Sequence, residues 1–294
     1  MKDVRAITRA HVVGFVERLE QRPDAHYRTI EKKIGMVCSI LQRALMKEKI
    51  PFNPATRIEV TKPARVKKAR LPFELEELVQ LFEHALFCGK LELPASAGGP
   101  AAWWMPILAY FTGAREEELA QMKVRDVREA KGLGWYLEIT DLGEDQTLKT
   151  TASKRRVPIH SELVRLGFLD YVDALRAAGQ LQLFPMLRAD KEGKRSARFC
   201  QWFGRFLRNK VGIKDRTKVF HSFRHLFSDI CKESGVDSEV ARALTGHTQR
   251  VGSNRDAASG YGGEFYPLKP LFAAIEKLEF PAEVHIPKLF LETR

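Results

Sequence analysis

The chain has 294 residues, 44 % of them hydrophobic and 29 % charged, about twice the length of a usual domain. This composition excludes disordered and fibrous classes and allows one large domain or two unequal ones. No apolar run approaches the ~18 residues of a membrane span, and charged residues follow directly after Met1, so we expect an intracellular protein without a membrane segment. The four cysteines form no CxxC pair, which argues against a disulfide framework or a zinc knuckle.

The chain is strongly basic, and the excess charge is unevenly spread. Lys and Arg number 49 against 37 Asp and Glu, a net charge of +12. Residues 1–70 hold 17 of the basic residues and 7 of the acidic ones, so most of the excess lies in the first quarter of the chain. This distribution predicts a segment that grips a polyanion through its phosphates. A merely solubilising surface is the alternative.

The first 60 residues predict a small helical domain. Apolar residues recur at helical spacing over Val12–Leu19 and over Tyr27–Lys49, and the prolines at 51 and 54 are expected to stop the second helix. Basic residues fall mostly outside its apolar stripe. We expect three of them to contact DNA phosphates: Arg28, Lys32 and Lys33.

A basic linker is predicted at residues 61–72. The stretch TKPARVKKAR contains five basic residues, one proline and no acid, which suits an extended segment lying against a phosphate backbone. The candidate contacts there are Arg65, Lys67, Lys68 and Arg70.

Residues 73–294 predict a larger domain, with a C-terminal tail from about 267. Helical patterns alternate with two short strands. The predicted helices are 72–87, 103–111, 115–119, 163–178, 197–211, 222–234 and 237–244, and the predicted strands are 135–140 and 154–159. The fold class is therefore mainly α with a small antiparallel β-sheet.

Three short motifs in this domain carry candidate chemistry. GAREEEL places Arg115 after a glycine turn at a helix start, where donors converge on an anion, although a solvated cap is the simpler interpretation. HSFRH puts His221 and Arg224 on one helix face, a phosphate-binding pair. His221 and His225 have zinc-ligand spacing, but the Glu of HExxH and a third ligand are missing.

A histidine and a tyrosine later in the chain are further candidates for the site. LTGH displays His247 after a glycine that stops a helix, where a capping role is the alternative. Tyr261 stands between two glycines, which leave its phenol approachable and able to act as a nucleophile. Tyr266, between Phe265 and Pro267, is expected to pack.

These motifs together resemble the tyrosine recombinase (phage integrase) family, in spelling and in order. The matching segments are the GxRxxEL-like GAREEEL, the KxxxSxRxVP-like stretch from Lys149 to Pro158, HSFRH, LTGH and the following YG. The helical domain ending in Asn53-Pro54 resembles the family's core-binding domain. The resemblance thus implies a small helical core-binding domain followed by a larger α+β catalytic domain.

The resemblance also implies how the phosphate is bound. Arg115 and Arg224 would hold the non-bridging oxygens of the scissile phosphate, and His221 and His247 would add hydrogen bonds. Glu118 matches an acid that orients the basic groups without touching DNA.

The same resemblance implies a covalent mechanism. Tyr261 would attack the phosphorus to give a 3′-phosphotyrosine and a free 5′ hydroxyl, which conserves the bond energy, so no ATP, metal or other cofactor is expected. Lys149 matches the general acid. Lys154 is the alternative general acid, but the family's lysine stands well before the strand proline. Lys149 precedes Pro158 by nine residues, whereas Lys154 precedes it by four and should lie within the strand.

The resemblance therefore implies a site-specific recombinase of the integrase type. It would act on double-stranded DNA attachment sites as a homotetramer on two duplexes, in the cytoplasm of a prokaryotic host, with accessory DNA-bending proteins as further partners. A type IB topoisomerase shares the chemistry, and a catalytically silent DNA-binding regulator would keep the fold and the charge. Family members often carry an arm-binding domain before the core-binding domain. We expect this chain to start too late to include one, either because its subgroup lacks that domain or because the chain is a fragment. The apolar C-terminal tail is expected to dock on its own catalytic domain or on a neighbouring subunit.

Overall fold

The computed structural model describes residues 3–22, 26–62, 70–150, 153–246 and 265–288. Of the predicted site residues, five lie outside these ranges: Arg65, Lys67, Lys68, His247 and Tyr261. The chain divides into two compact units, Met1–Lys68 and Ala69–Arg294. Within the described residues, no helix is long and apolar enough to cross a bilayer.

The N-terminal unit contains a 3₁₀ turn at Val4–Ala6 and two helices, α1 (Arg9–Glu20) and α2 (Tyr27–Met46). Each helix buries one apolar stripe, Val12, Val16 and Leu19 on α1 and Ile30, Ile34 and Leu41 on α2. α2 ends before the prolines that the sequence predicts as its stop, because Glu48 already adopts a left-handed conformation with φ of 55°.

The larger unit is mainly helical and surrounds one buried helix. Its helices are α3 (Leu75–Phe82), α4 (Ala101–Thr112), α5 (Glu116–Ala120), α6 (Ser161–Arg165), α7 (Phe168–Ala177), α8 (Ser196–Phe206), α9 (Ser222–Glu233), α10 (Ser238–Thr245) and α11 (Leu268–Ile275), with 3₁₀ turns at Ala95–Ala97 and Val124–Asp126. All twelve residues of α4 are buried. A helix that is apolar on every face belongs in the middle of a core.

The sheet has three antiparallel strands in the order β1 (Val127–Ala130), β2 (Gly134–Ile139) and β3 (Arg155–Pro158). Leu137 pairs with Val127 on one side and with Val157 on the other. The sequence predicted β2 and β3 but not β1, whose four residues VREA have no clear alternation. The predicted class, mainly α with a small antiparallel sheet, is confirmed.

Three predicted helices differ from those in the structure, and the pattern at 72–87 forms an α-helix only over Leu75–Phe82. The pattern at 163–178 is interrupted at Gly167, whose φ of 88° separates α6 from α7. The pattern at 197–211 is α8 followed by a π-helical turn, Leu207–Val211, which ends at Gly212.

The C-terminal segment packs on its own unit as far as it is described. Leu271, Ala274 and Ile275 of α11 are buried, and Ile286 is only 3 % exposed in the same core. Arg165 Nη2 donates to the Ile286 carbonyl at 2.9 Å. Docking in cis therefore accounts for the tail up to residue 288.

Candidate functional site

The turn between α4 and α5 determines where Arg115 stands. α4 ends at Gly113, whose φ is 60°, and a Cβ atom there would come within 2.6 Å of Phe227 Cδ1. Both constraints require glycine. Directly after this turn Arg115 is the N-cap residue of α5, and its side chain is 21 % exposed.

Glu118 is the acceptor around which two arginines gather. Arg115 donates its backbone N–H to Oε2 at 2.8 Å and Nη1 to Oε1 at 2.6 Å. Arg155 donates Nη1 to Oε1 at 3.1 Å and Nη2 to Oε2 at 2.7 Å. Burial favours the neutral acid, but Arg155 and Arg115 outweigh it and lower the pKa of Glu118 to about 2. Glu118 is therefore an ionised group that orients both guanidinium groups.

Arg155 is a member of the site that sequence reasoning did not single out. Its side chain is 4 % exposed and also donates Nε to the Leu244 carbonyl at 2.8 Å and Nη1 to the Ser153 carbonyl at 3.0 Å. It thus joins α5, β3 and the end of α10. The signal was present in the sequence, because Arg155 is the arginine of the KxxxSxRxVP-like stretch.

Arg224 belongs to α9, is 2 % exposed and is close enough to Arg115 and Arg155 to feel their charges. Its Nη1 donates to the Gly113 carbonyl at 2.8 Å, and its Nη2 donates to the Thr245 carbonyl. Burial, helped by the charges of Arg155 and Arg115, lowers the pKa of Arg224 to about 9, so the group remains charged at neutral pH. The structure therefore gathers three cationic groups around one carboxylate.

His221 stands at the start of α9 with a carboxylate beside it. Its Nδ1 is 3.7 Å from Oε2 of Glu116, and both side chains are 34 % exposed. Burial opposes the charge of Glu116, but the neighbouring imidazole prevails and lowers the pKa of that carboxyl group. The rings of His221 and His225 are 5.2 Å apart, and the described part of the chain offers no group of three metal ligands.

Lys149 is exposed on the hairpin between β2 and β3. Its neighbour Thr150 places Oγ1 3.1 Å from Ser153 Oγ, which accepts a hydrogen bond from Arg115 Nη1 at 3.4 Å. Lys154 instead pairs with Asp141 at 2.9 Å. The expectation that Lys154 lies within the strand is wrong, because β3 begins at Arg155.

The residues before Lys149 are fixed to the body of the unit. Gln121 Nε2 donates to the Thr147 carbonyl, and the Thr147 N–H donates to Gln121 Oε1, both at 2.9 Å. Buried Gln146 donates Nε2 to Asp126 Oδ2 at 2.8 Å. Lys149 therefore follows two residues whose positions are set by side chains elsewhere in the unit.

Tyr266 packs against the core as expected, and its surroundings disfavour ionisation of its phenol. It contacts the hydrophobic core, and burial, with Glu239 and Asp237 adding to it, raises the pKa of its phenol. A raised pKa disfavours the phenolate. His247 and Tyr261 lie outside the described residues.

The predicted DNA contacts that the structure describes are all exposed. Arg28, Lys32 and Lys33 stand on α2, and Arg28 Nε donates to the Tyr27 hydroxyl at 3.0 Å. Arg70 is exposed at the start of the larger unit.

Known proteins share this fold. Tn1549 transposon integrase, in a complex with a circular intermediate DNA, is 16 % identical with a TM-score of 0.56, and the match covers 87 % of this chain and 85 % of that one. A lambda integrase dimer bound to a COC′ core site is 17 % identical with a TM-score of 0.56, covering 84 % and 81 %. A lambda integrase tetramer bound to a Holliday junction is 17 % identical with a TM-score of 0.55, covering 87 % and 68 %. No curated protein matches the sequence significantly.

The sequence itself matches the phage integrase family over residues 102–251, more than half of the chain. The matched region begins within α4 and contains Arg115, Glu118, Arg155, His221 and Arg224. The chain therefore belongs to the phage integrase family of tyrosine recombinases.

Proposed function

We propose that this protein is a site-specific DNA recombinase that cleaves and rejoins DNA through a 3′-phosphotyrosine intermediate. The observation that carries the proposal is the assembly of Arg115, Arg155 and Arg224 around Glu118. His221 stands at the start of α9, the helix that carries Arg224. Cations held in place before the substrate arrives stabilise charge as it develops on a phosphoryl group.

Within this site, Arg115 is suited to contact the phosphate directly. Its guanidinium is held by Glu118 at one nitrogen and is 21 % exposed, so other donors remain available to an oxygen from solvent. Arg224, expected from the sequence to hold a non-bridging oxygen as well, is buried with two nitrogens on carbonyls, so we propose that it stabilises the phosphate through its positive charge. Removing one such donor typically costs about 10²- to 10³-fold in rate.

The chemical step is a transesterification. The Tyr261 hydroxyl releases its proton to solvent as its oxygen attacks phosphorus, and the bond between phosphorus and the 5′ oxygen breaks. Lys149 delivers a proton to that leaving oxygen and regains one from solvent. Rejoining is the reverse, with a 5′ hydroxyl as nucleophile and the tyrosine oxygen as leaving group. One phosphoester replaces another, so the step balances without ATP.

The partner we propose is double-stranded DNA carrying an attachment site. The surplus of basic residues at positions 1–70 and the exposed Arg28, Lys32 and Lys33 on α2 support a phosphate grip. The lambda integrase tetramer on a Holliday junction supports a homotetramer on two duplexes for this chain. Accessory DNA-bending proteins would be further partners.

A trapping experiment tests the proposal and finds the site. The purified protein is incubated with nicked duplexes whose arms are randomised, so that the short strand released on cleavage diffuses away. Covalent complexes are then isolated under denaturing conditions and sequenced. We expect the wild type to form a complex and Tyr261→Phe to bind the same DNA without forming one.

The outcomes separate the candidate functions. Strand exchange between two duplexes carrying the recovered site identifies a recombinase, and relaxation without exchange identifies a topoisomerase. DNA binding without any covalent complex identifies a silent regulator. A complex that persists in Tyr261→Phe but vanishes in Tyr266→Phe would move the nucleophile to Tyr266.

A further inference from the structure

The two consecutive arginines of β3 hold the chain on both sides of the stretch that contains Tyr261. Side chains alternate along a strand, so Arg155 and Arg156 point to opposite faces of the sheet. Arg155 Nε donates to the carbonyl of Leu244, and Arg156 Nη2 donates to the carbonyl of Tyr266 at 3.0 Å. We propose that Arg156 is a positioning residue for the nucleophile, and that it acts by fixing residues 265 and 266, four and five positions after Tyr261.

The contacts of Arg156 connect β2 with residues 265 and 266. Besides its hydrogen bond to Tyr266, its guanidinium lies 5.0 Å from the ring centre of Phe265 and 5.9 Å from that of Tyr136. Rings at these distances attract a cation through their faces. The side chain is thus held to β2 on one side and to residues 265 and 266 on the other.

Chain length explains why this anchor governs Tyr261. Five residues separate Tyr261 from Tyr266, and five residues span at most about 18 Å. From Leu244, seventeen residues away, the limit is about 60 Å. A contact at Tyr266 therefore limits the distance between Tyr261 and its anchored neighbour more tightly than a contact at Leu244 does.

The strand that bears this anchor also bears the phosphate-binding cluster. Val157 of β3 is fully buried and pairs with Leu137, so the strand is fixed in the core. Arg155 on the same strand holds Glu118, and through it Arg115. One strand therefore carries both the residue that fixes Tyr266 and the residue that orders the phosphate-binding cluster.

This inference rests on the proposed function, and its test uses Arg156→Ala and Arg156→Lys. Arg176 supplies a matched control, because it makes the same kinds of contact elsewhere on the sheet. Its Nη2 donates to the Val127 carbonyl at 2.8 Å, and its guanidinium lies 5.3 Å from the ring centre of Trp135. Arg176→Ala removes an equivalent anchor that lies outside the site.

Three quantities are measured on the full chain with the DNA recovered by trapping: the rate of covalent complex formation, the affinity of Tyr261→Phe versions for the same DNA, and hydrogen exchange of peptides spanning 265–275. We expect Arg156→Ala to form the complex about 10- to 100-fold more slowly with unchanged DNA affinity, because only positioning is removed. Exchange at 265–268 should rise. Arg156→Lys, which keeps the charge but not the fork, should fall between, and Arg176→Ala should match the wild type.

A normal rate in Arg156→Ala, or an equal slowing in Arg176→Ala, would overturn the inference while leaving the proposed function intact. If Arg156→Ala does not fold, Arg156→Lys decides by the same criteria. A wild type that forms no complex overturns the proposed function and the positioning role with it. The exchange measurement then reports separately whether Arg156 anchors residues 265 and 266.

Discussion

Glu118 shows how one carboxylate can organise a cationic site. It lies three residues after Arg115, so the same helix start that places the arginine also brings the carboxylate back to it. Arg155 completes the arrangement from 37 residues away. Leaving either partner of such a buried pair alone is costly, because an uncompensated charge remains in the interior.

The ionisation of Glu118 makes the free energy of unfolding depend on pH. Its pKa in the folded protein is about 2, below its usual value of 4.5, so its stabilising contribution is complete above the unfolded pKa and is lost as pH falls toward the folded one. A shift of this size corresponds to about 3 kcal/mol. Urea unfolding measures the free energy of unfolding of the wild type and of Glu118→Gln. We expect the difference between them to be largest above about pH 5 and to be smaller at about pH 3. A pH-independent difference would contradict this account.

Alanine substitutions of the two lysines between β2 and β3 should affect cleavage differently. Lys149 is exposed, whereas Lys154 is occupied by Asp141. We expect Lys149→Ala to slow covalent complex formation by about 10²-fold or more, because the leaving oxygen loses its proton donor. A substrate with sulfur in place of the bridging 5′ oxygen should restore the rate, since a thiolate leaves without protonation. Lys154→Ala is the matched control, and the assignment fails if its defect is the one that sulfur rescues.

Among the elements, those that follow local rules were predictable from the sequence. The end of α4 at Gly113, the start of α10 after Asp237 and its end at Gly246 are coded by glycine and capping residues that lie within one turn. β1 was missed because its four residues become a strand only by pairing with β2. The partners of Arg155, Glu118 and Leu244, are distant in sequence, so its place in the KxxxSxRxVP-like stretch is the one local signal of its role.

The hairpin before Lys149 also has a structure that its composition does not reveal. Residues 142–148 are polar enough to suggest a free loop, yet the side chains of Gln121 and Asp126 hold Thr147 and Gln146. Two amides and a carboxylate that meet across 20 or more residues leave no periodic pattern in a sequence. Only the folded chain shows that Lys149 follows a fixed segment.

At the scale of the whole molecule, the basic excess at positions 1–70 should set the strength of DNA binding on any sequence. We expect the triple variant Lys67→Ala, Lys68→Ala and Arg70→Ala to weaken binding to specific and random duplexes alike. The slope of log K against log salt should fall by up to about 0.9 for each phosphate that the variant no longer neutralises. A matched triple variant at exposed lysines elsewhere in the chain, Lys131→Ala, Lys269→Ala and Lys277→Ala, tests whether any reduction of positive charge suffices. An unchanged slope in the first variant would make these residues solubilising only.

The packing of the C-terminal tail is described as far as Lys288. Up to that residue it packs in cis, with Ile286 buried and Lys288 3.3 Å from Asp170. Deleting residues 282–294 should therefore destabilise the protein, by about 2 to 5 kcal/mol from Ile286 alone, and any loss of recombination would reflect that. Deleting only 289–294 keeps all of these contacts, so the melting temperature of this shorter form is measured beside its recombination. If this shorter form binds a single site normally but fails in strand exchange, those six residues contact a neighbouring subunit; full exchange by the shorter form would end the case for packing in trans.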